Sequence, residues 1–370
     1  MAGIYFHIPF CKRICAYCDF RRTADLRRME PLLGALHREL EARAGYLGGH
    51  AVRTLYFGGG TPSLYAPEAL QGLVDHARRL FGFGRPEELT VECNPDDLTA
   101  DYVARLRGTE IDRLSIGVQS FDDACLRLMN RRHSAAEAIS AVRRAQRAGF
   151  VNLTIDLIFG IRGFGGEILR RTLDTALELD VPHISAYHLT IEPDTVLGRR
   201  TARGEFGPVD DGTSEREFAA VHEALTAAGY EHYEVSNYAR KGYRARHNAA
   251  YWSGEPYLGI GPGAHSFDGA ERRWCSSAAG EYIAAPAYGF ERLTPRDRCN
   301  EYVMTGLRTA EGISLAEAAE RFGAATAARL VRDTGPWLAA GTLVREADRL
   351  RIPAARMLVS DAVIEALFDA

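Results

Sequence analysis

The sequence predicts an α/β fold: an open, partial (β/α)6 TIM-like barrel followed by a C-terminal α+β region that ends in a winged-helix-like module. Three observations carry this. Short apolar runs alternate with longer amphipathic ones through the first half of the chain, the pattern of a parallel sheet with helices outside. Six such units are too few for a closed eight-fold barrel. After about residue 205 the composition shifts, and from residue 295 the pattern turns helical with one small hairpin.

The strand-like runs are Gly3–Ile8, Thr54–Gly58, Leu89–Cys93, Arg113–Val118, Asn152–Ile158 and His183–Leu189. Helical periodicity covers Leu26–Ala44, Pro67–Phe81, Thr99–Arg107, Ala135–Ala148, Gly166–Leu179 and Ser214–Ala228. Thr99 and Ser134 stand where N-caps belong, and Gly149 and Gly229 where helices stop. All of these but Ser214–Ala228, which follows the last strand, make a first region of residues 1–205. Residues 206–294 are aromatic and glycine-rich, read here with short helical signals only, as a substrate- or cargo-binding region. Residues 295–370 form the last region, with Thr342–Ile352 as a hairpin before a final helix. A structural cap or partner surface is the favoured role of that module over DNA binding, because acidic residues slightly outnumber arginines there and lysine is absent.

Bulk properties exclude several classes. With 370 residues, 46% of them hydrophobic, the chain can bury a large core. A net charge of −4 and a pI near 6.3 give no reason to expect nucleic acid or an anionic membrane. Lys12 and Lys241 are the only lysines, so the positive charge is nearly all arginine. No apolar stretch approaches the ~18 residues of a membrane span, and nothing reads as a secretory leader. Seven cysteines, four of them scattered, do not make a secreted disulfide framework. The expectation is a reduced, cytoplasmic protein.

The other three cysteines carry the chemistry. Cys11, Cys15 and Cys18 are spaced Cys-x3-Cys-x2-Cys, with Tyr17 before the last. Soft thiolates suit an iron–sulfur cluster, and three of them leave the fourth iron of a [4Fe–4S] cluster open. A structural zinc site is the alternative, but it normally takes four ligands in paired elements, and no second Cys/His pair is near. The residues around the trio converge by topology. Gly58-Gly-Gly-Thr-Pro-Ser63 follows the second strand, Glu92 ends the third, Gln119 ends the fourth and Asp156 lies in the fifth. In barrels of this kind the loops after the strands build the site. Glycines let backbone approach a polar ligand, although the run also fits an ordinary turn. Glu92 and Asp156 sit in apolar runs where an unpaired carboxylate is costly, so each needs either a ligand or a structural partner.

The trio with Tyr17 resembles the radical S-adenosylmethionine (SAM) superfamily. The resemblance implies that SAM chelates the open iron and that the reduced cluster cleaves it to methionine and a 5′-deoxyadenosyl radical. It implies SAM contacts from Tyr5, Tyr17 (against the adenine), Gly59, Gly60, Thr61, Glu92, Gln119, Arg131 (at the carboxylate) and Asp156 (at the ribose). The runs Tyr5-Phe-His-Ile-Pro-Phe-Cys11, Glu92-Cys-Asn-Pro-Asp96, Arg113-Leu-Ser-Ile-Gly-Val-Gln-Ser-Phe121 and Tyr233-Glu-Val-Ser-Asn237 narrow it to the coproporphyrinogen III dehydrogenase-like group. Within it, the dehydrogenase type carries a fourth cysteine where this chain has Phe20, and a longer segment before the cluster. The HemW-type heme chaperones fit better, with Cys-x3-Cys-x2-Cys-x-Phe and His247-Asn-Ala-Ala-Tyr-Trp252. That resemblance implies heme as cargo, His247 as a candidate heme ligand with His265 as a second, and acceptor hemoproteins such as respiratory-chain cytochromes met at the membrane surface. It also implies a homodimer. The alternative it leaves open is oxidative decarboxylation of coproporphyrinogen III to protoporphyrinogen IX.

Overall fold

The computed structural model describes residues 1–369. The chain opens with β1 (Ala2–Ile8), α1 (Met29–Ala42), β2 (Val52–Gly59), α2 (Pro67–Phe81), β3 (Glu88–Cys93) and α3 (Ala100–Arg107). It continues with β4 (Arg113–Gln119), α4 (Asp123–Leu128), α5 (Ala135–Arg147), β5 (Asn152–Phe159), α6 (Glu167–Glu178) and β6 (His183–His188), then α7 (Val196–Ala202) and α8 (Asp211–Ala227). The six strands pair in parallel in sequence order. Ile4, Phe6, Ile8, Leu55, Phe57, Leu114 and Ile116 are fully buried, as expected of a parallel sheet buried on both faces. Phe6 and Phe57 sit in register on neighbouring strands and stack with ring centroids 4.7 Å apart. The outer helices close the core with one apolar stripe each, Leu32, Leu36 and Leu40 on α1 and Leu70, Leu73 and Val74 on α2.

The expected helix signals hold. Thr99 accepts from the Tyr102 amide, Ser134 and Glu137 form a reciprocal capping box, and Gly149 and Gly229 follow their helices at φ +90° and +87°. Two short helices were not foreseen: α4 spans only six residues and is set by Asp122, which accepts from two amides at its N-terminus, and α7 spans seven and is capped by Thr195, which accepts from the Gly198 amide.

The second half differs from expectation in one respect. Residues 231–292 are built of short strands as well as helices: β7 (Glu231–Glu234), β8 (Asn237–Ala239), α9 (Arg246–Trp252), β9 (Tyr257–Ile260), β10 (His265–Phe267), β11 (Glu271–Cys275), α10 (Ala279–Ala284) and β12 (Tyr288–Arg292). They extend the same sheet at both edges. β9 lies parallel beside β1, β10 to β12 follow antiparallel, and β8 and β7 add antiparallel beyond β6, giving twelve strands in one open sheet. Strands of three to five residues carry too little periodicity to be told from turns.

The remaining elements are α11 (Pro295–Leu307), β13 (Ile313–Ser314), α12 (Leu315–Phe322), α13 (Ala324–Asp333), α14 (Gly335–Ala339), β14 (Val344–Glu346), β15 (Arg349–Arg351) and α15 (Ser360–Ala366). The expected hairpin is β14–β15, joined by β13 in a three-stranded sheet. Backbone bonds from Val235 to Arg308 and from Ala310 to Tyr233, with the ion pair Arg272–Glu301, tie this module to the large sheet. No helix among the described residues is long and apolar enough to cross a membrane.

Candidate functional site

The loop between β1 and α1 carries the three cysteines, and it is pinned from several sides. Lys12 pairs with Asp97 at 2.8 Å, Asn130 donates to the Ile14 carbonyl at 2.7 Å, and the Ala16 amide donates to Met129. All three cysteines are half-buried and free of disulfides. Burial raises the pKa of Cys11 and pushes Cys18 up to about 11, so binding a metal at these thiols would release their protons to solvent.

The loops after β2, β3 and β4 meet the cysteines. Thr61 donates to Cys11 Sγ at 3.5 Å, and Arg131 donates to Cys15 Sγ at 3.2 Å and to the Gly117 carbonyl at 2.5 Å. Arg131 Nε is buried without a partner, and no carboxylate pairs with the guanidinium among the described residues. Burial works against this cation, yet Tyr17 and Cys15 beside it hold its pKa above the ordinary range. A half-buried guanidinium with no carboxylate partner, bonded to the Cys15 thiol, fits an anionic cluster and a ligand carboxylate. Gln119 ends β4 with φ +70° at a shift in the β4–β5 register, a strained conformation of the kind that collects at functional sites.

The glycine run lies tight against β1. Gly59 has φ +104°, and a Cβ there would stand 2.5 Å from the His7 ring; one on Gly60 would stand 2.7–2.8 Å from the Ile8–Phe10 backbone. Glu92 accepts from the Tyr56 hydroxyl at 2.8 Å and from the Gly59 amide at 3.0 Å, and burial pushes its pKa up to about 7 despite those bonds. Asp156 is set deeper, facing Ser115, with its pKa raised by burial to about 6. The two carboxyls line a small internal chamber of about 40 Å³ with Arg113 and His183.

Above the chamber opens a cavity of about 1160 Å³. Tyr5, Gly59, Glu92, Phe20, Tyr251, Trp252 and His265 line it, together with residues of α11 such as Arg298. Apart from Asp156, which stays in the small chamber, the predicted cluster and SAM residues fall into two groups. Cys11, Cys15, Cys18, Tyr17, Thr61, Gln119 and Arg131 gather at the cysteine loop, while Tyr5, Gly59 and Glu92 face the cavity. Gly60 packs on β1 between them.

His247 lies elsewhere than a free ligand would. It is 2% exposed, its Nδ1 is 2.9 Å from Thr54 Oγ1, and its Nε2 is 2.9 Å from the Tyr251 hydroxyl. Burial lowers its pKa to about 3. His265 is exposed on the cavity wall and stacks on Trp274. Asn94, unassigned from the sequence, bridges Thr61 at 3.1 Å and Arg131 at 2.7 Å; the only signal for it was its place in Glu92-Cys-Asn-Pro-Asp96.

A parallel α/β sheet with a three-cysteine loop at the strand C-termini defines the radical SAM class, and residues 5–176 match the radical SAM superfamily. Residues 293–359 match the HemN C-terminal domain. The chain is 37% identical to the heme chaperone HemW of Mycobacterium tuberculosis, over 99% of this chain and 94% of that one. It is 34% identical to that of Bacillus subtilis, over 87% of each, and 39% identical to that of Escherichia coli, over 71% and 69%. The chain belongs to the HemW family of radical SAM proteins. Coproporphyrinogen III oxidase (HemN) from Escherichia coli shares the fold at a TM-score of 0.84 with 22% identity, over 99% of this chain and 90% of that one. Membership of the radical SAM superfamily implies a [4Fe–4S] cluster and SAM.

Proposed function

We propose that this protein is a cytoplasmic heme chaperone that binds heme and passes it to acceptor hemoproteins, among them respiratory-chain cytochromes at the membrane surface, and that it works as a homodimer. Cys11, Cys15 and Cys18 hold the cluster. Tyr5, Tyr17, Gly59, Gly60, Thr61, Glu92, Gln119, Arg131 and Asp156 would hold SAM beside it, with Arg131 meeting the SAM carboxylate. When bound, cluster and SAM supply one-electron chemistry at the barrel mouth; the chain's own part is to hold both and to shield them.

The observation that carries the cargo reading is the cavity. It runs from the barrel mouth to the wall formed by Tyr251, Trp252 and His265, and at about 1160 Å³ it exceeds the ~300–1,000 Å³ of usual small-molecule sites. Aromatic rings suit a porphyrin face, and an imidazole suits its iron. His265 reaches the cavity as it stands, whereas His247 takes the axial position only by leaving Thr54 and Tyr251. Heme titration of the reconstituted protein, followed by Soret absorbance, tests this. Saturable one-to-one binding that weakens in Trp252→Ala is expected; no saturable binding would remove the cargo reading.

A further inference from the structure

Two of the three cysteine sulfurs are joined by an unbroken run of hydrogen bonds, and its direction is set by chemistry. Arg131 donates to Cys15 Sγ at 3.2 Å and to Asn94 Oδ1 at 2.7 Å. A guanidinium can only donate, so the carboxamide oxygen must face Arg131 and its nitrogen must face Thr61. Asn94 Nδ2 therefore donates to Thr61 Oγ1, at 3.1 Å. With that lone pair engaged, the Thr61 hydroxyl turns its hydrogen to Cys11 Sγ at 3.5 Å. Thr61 is 2% exposed, so water does not compete for it. Cys18 lies outside the run and faces the Phe20 backbone.

We propose that Asn94 is a positioning residue for the iron–sulfur cluster, orienting one neutral and one cationic donor onto the thiolates of Cys11 and Cys15. This rests on the cluster assignment above. The path of the cysteine loop does not depend on Asn94, because Lys12–Asp97, Asn130–Ile14 and Ala16–Met129 hold it independently. What Asn94 alone decides is which way the Thr61 proton points. Donors and positive charge at cluster sulfurs stabilise the reduced state and raise its potential. Asparagine is required because an aspartate of the same shape only accepts: it would draw the Thr61 proton away from Cys11 and add negative charge.

The test is a potentiometric titration of the anaerobically reconstituted full chain, without SAM, read by electron paramagnetic resonance. Asn94→Asp is expected to lower the midpoint potential, and Thr61→Val to lower it by less. Asn130→Gly removes a neutral bond that pins the same loop without touching sulfur, and is expected to stay at the wild-type potential. Asn94→Asp at the wild-type potential, or an equal shift in Asn130→Gly, would overturn the proposal. If Asn94→Asp takes up no cluster, Thr61→Val decides alone. Wild-type protein that takes up no cluster would instead remove the cluster site itself, and this inference with it.

Discussion

His247 and Tyr251 lie one helical turn apart on α9, with the imidazole Nε2 2.9 Å from the phenolic oxygen. Together with Thr54 at Nδ1, this partner occupies both ring nitrogens inside the sheet. The histidine of the His-Asn-Ala-Ala-Tyr-Trp run therefore anchors α9 to β1 and β2, while the tyrosine and tryptophan that follow it form the cavity wall. His247→Ala is expected to cost about 2–4 kcal/mol of stability, from a cavity over Gly3 and an unpaired Thr54, measurable by chemical denaturation of the apo-protein. His265→Ala is expected to keep stability and to lose the axial-ligand signature in the heme spectrum. A spectrum unchanged in His265→Ala but lost in His247→Ala would return the ligand role to His247.

Arg131 is a half-buried cation with no carboxylate partner among the described residues. Charge-assisted bonds of this kind contribute about 1.5–3 kcal/mol, so Arg131→Met should weaken SAM binding roughly ten- to a hundred-fold. Anaerobic equilibrium dialysis of cluster-loaded protein measures this. Unchanged SAM affinity would place the ligand's carboxylate elsewhere.

Glu92 couples pH to stability. Its folded pKa is raised to about 7, by burial first and by Asp156 as well, so the native state holds a proton that the unfolded chain has released. Stability contributed by this group is full below the unfolded carboxyl range, near pH 4.5, and is lost as pH rises toward 7. The loss is about 3 kcal/mol, at about 1.4 kcal/mol per unit. Glu92→Gln should flatten the denaturation profile of the apo-protein across that window. A wild-type profile that rises with pH there would contradict the assignment, unless Glu92→Gln rises more steeply still.

Gly60 separates packing from ligand binding. A side chain there meets the backbone of Ile8 to Phe10, which cannot swing aside. Gly60→Ala should therefore destabilise the apo-protein by about 1–3 kcal/mol with no SAM present. A variant with wild-type stability and lost SAM affinity would assign Gly60 wholly to the ligand.

The sequence made the barrel legible because β1 to β6 are apolar runs bounded by amphipathic helices with standard caps, such as Ser134 and Glu137 on α5. The edge strands were hidden because β8 and β10 have three residues each, and their strand character comes from pairing with a sheet that is already formed. Cysteine spacing pointed to the loop where Thr61 and Arg131 arrive, since residue type and topology agree there. Asn94 was missed because its significance is relational: nothing in an asparagine after a strand reveals that it joins two sulfur-bonded groups. His247 shows the converse, a conspicuous histidine whose two nitrogens are both engaged in the fold.

A cavity that carries heme without remodelling a porphyrin is distinguished from an enzyme site by one parallel assay. Cluster- and SAM-loaded protein, under reductant and without oxygen, is offered heme and coproporphyrinogen III. Stable heme uptake, release to an apo-hemoprotein, and no vinyl-bearing product from coproporphyrinogen III are expected. Conversion of coproporphyrinogen III to protoporphyrinogen IX would contradict heme carriage.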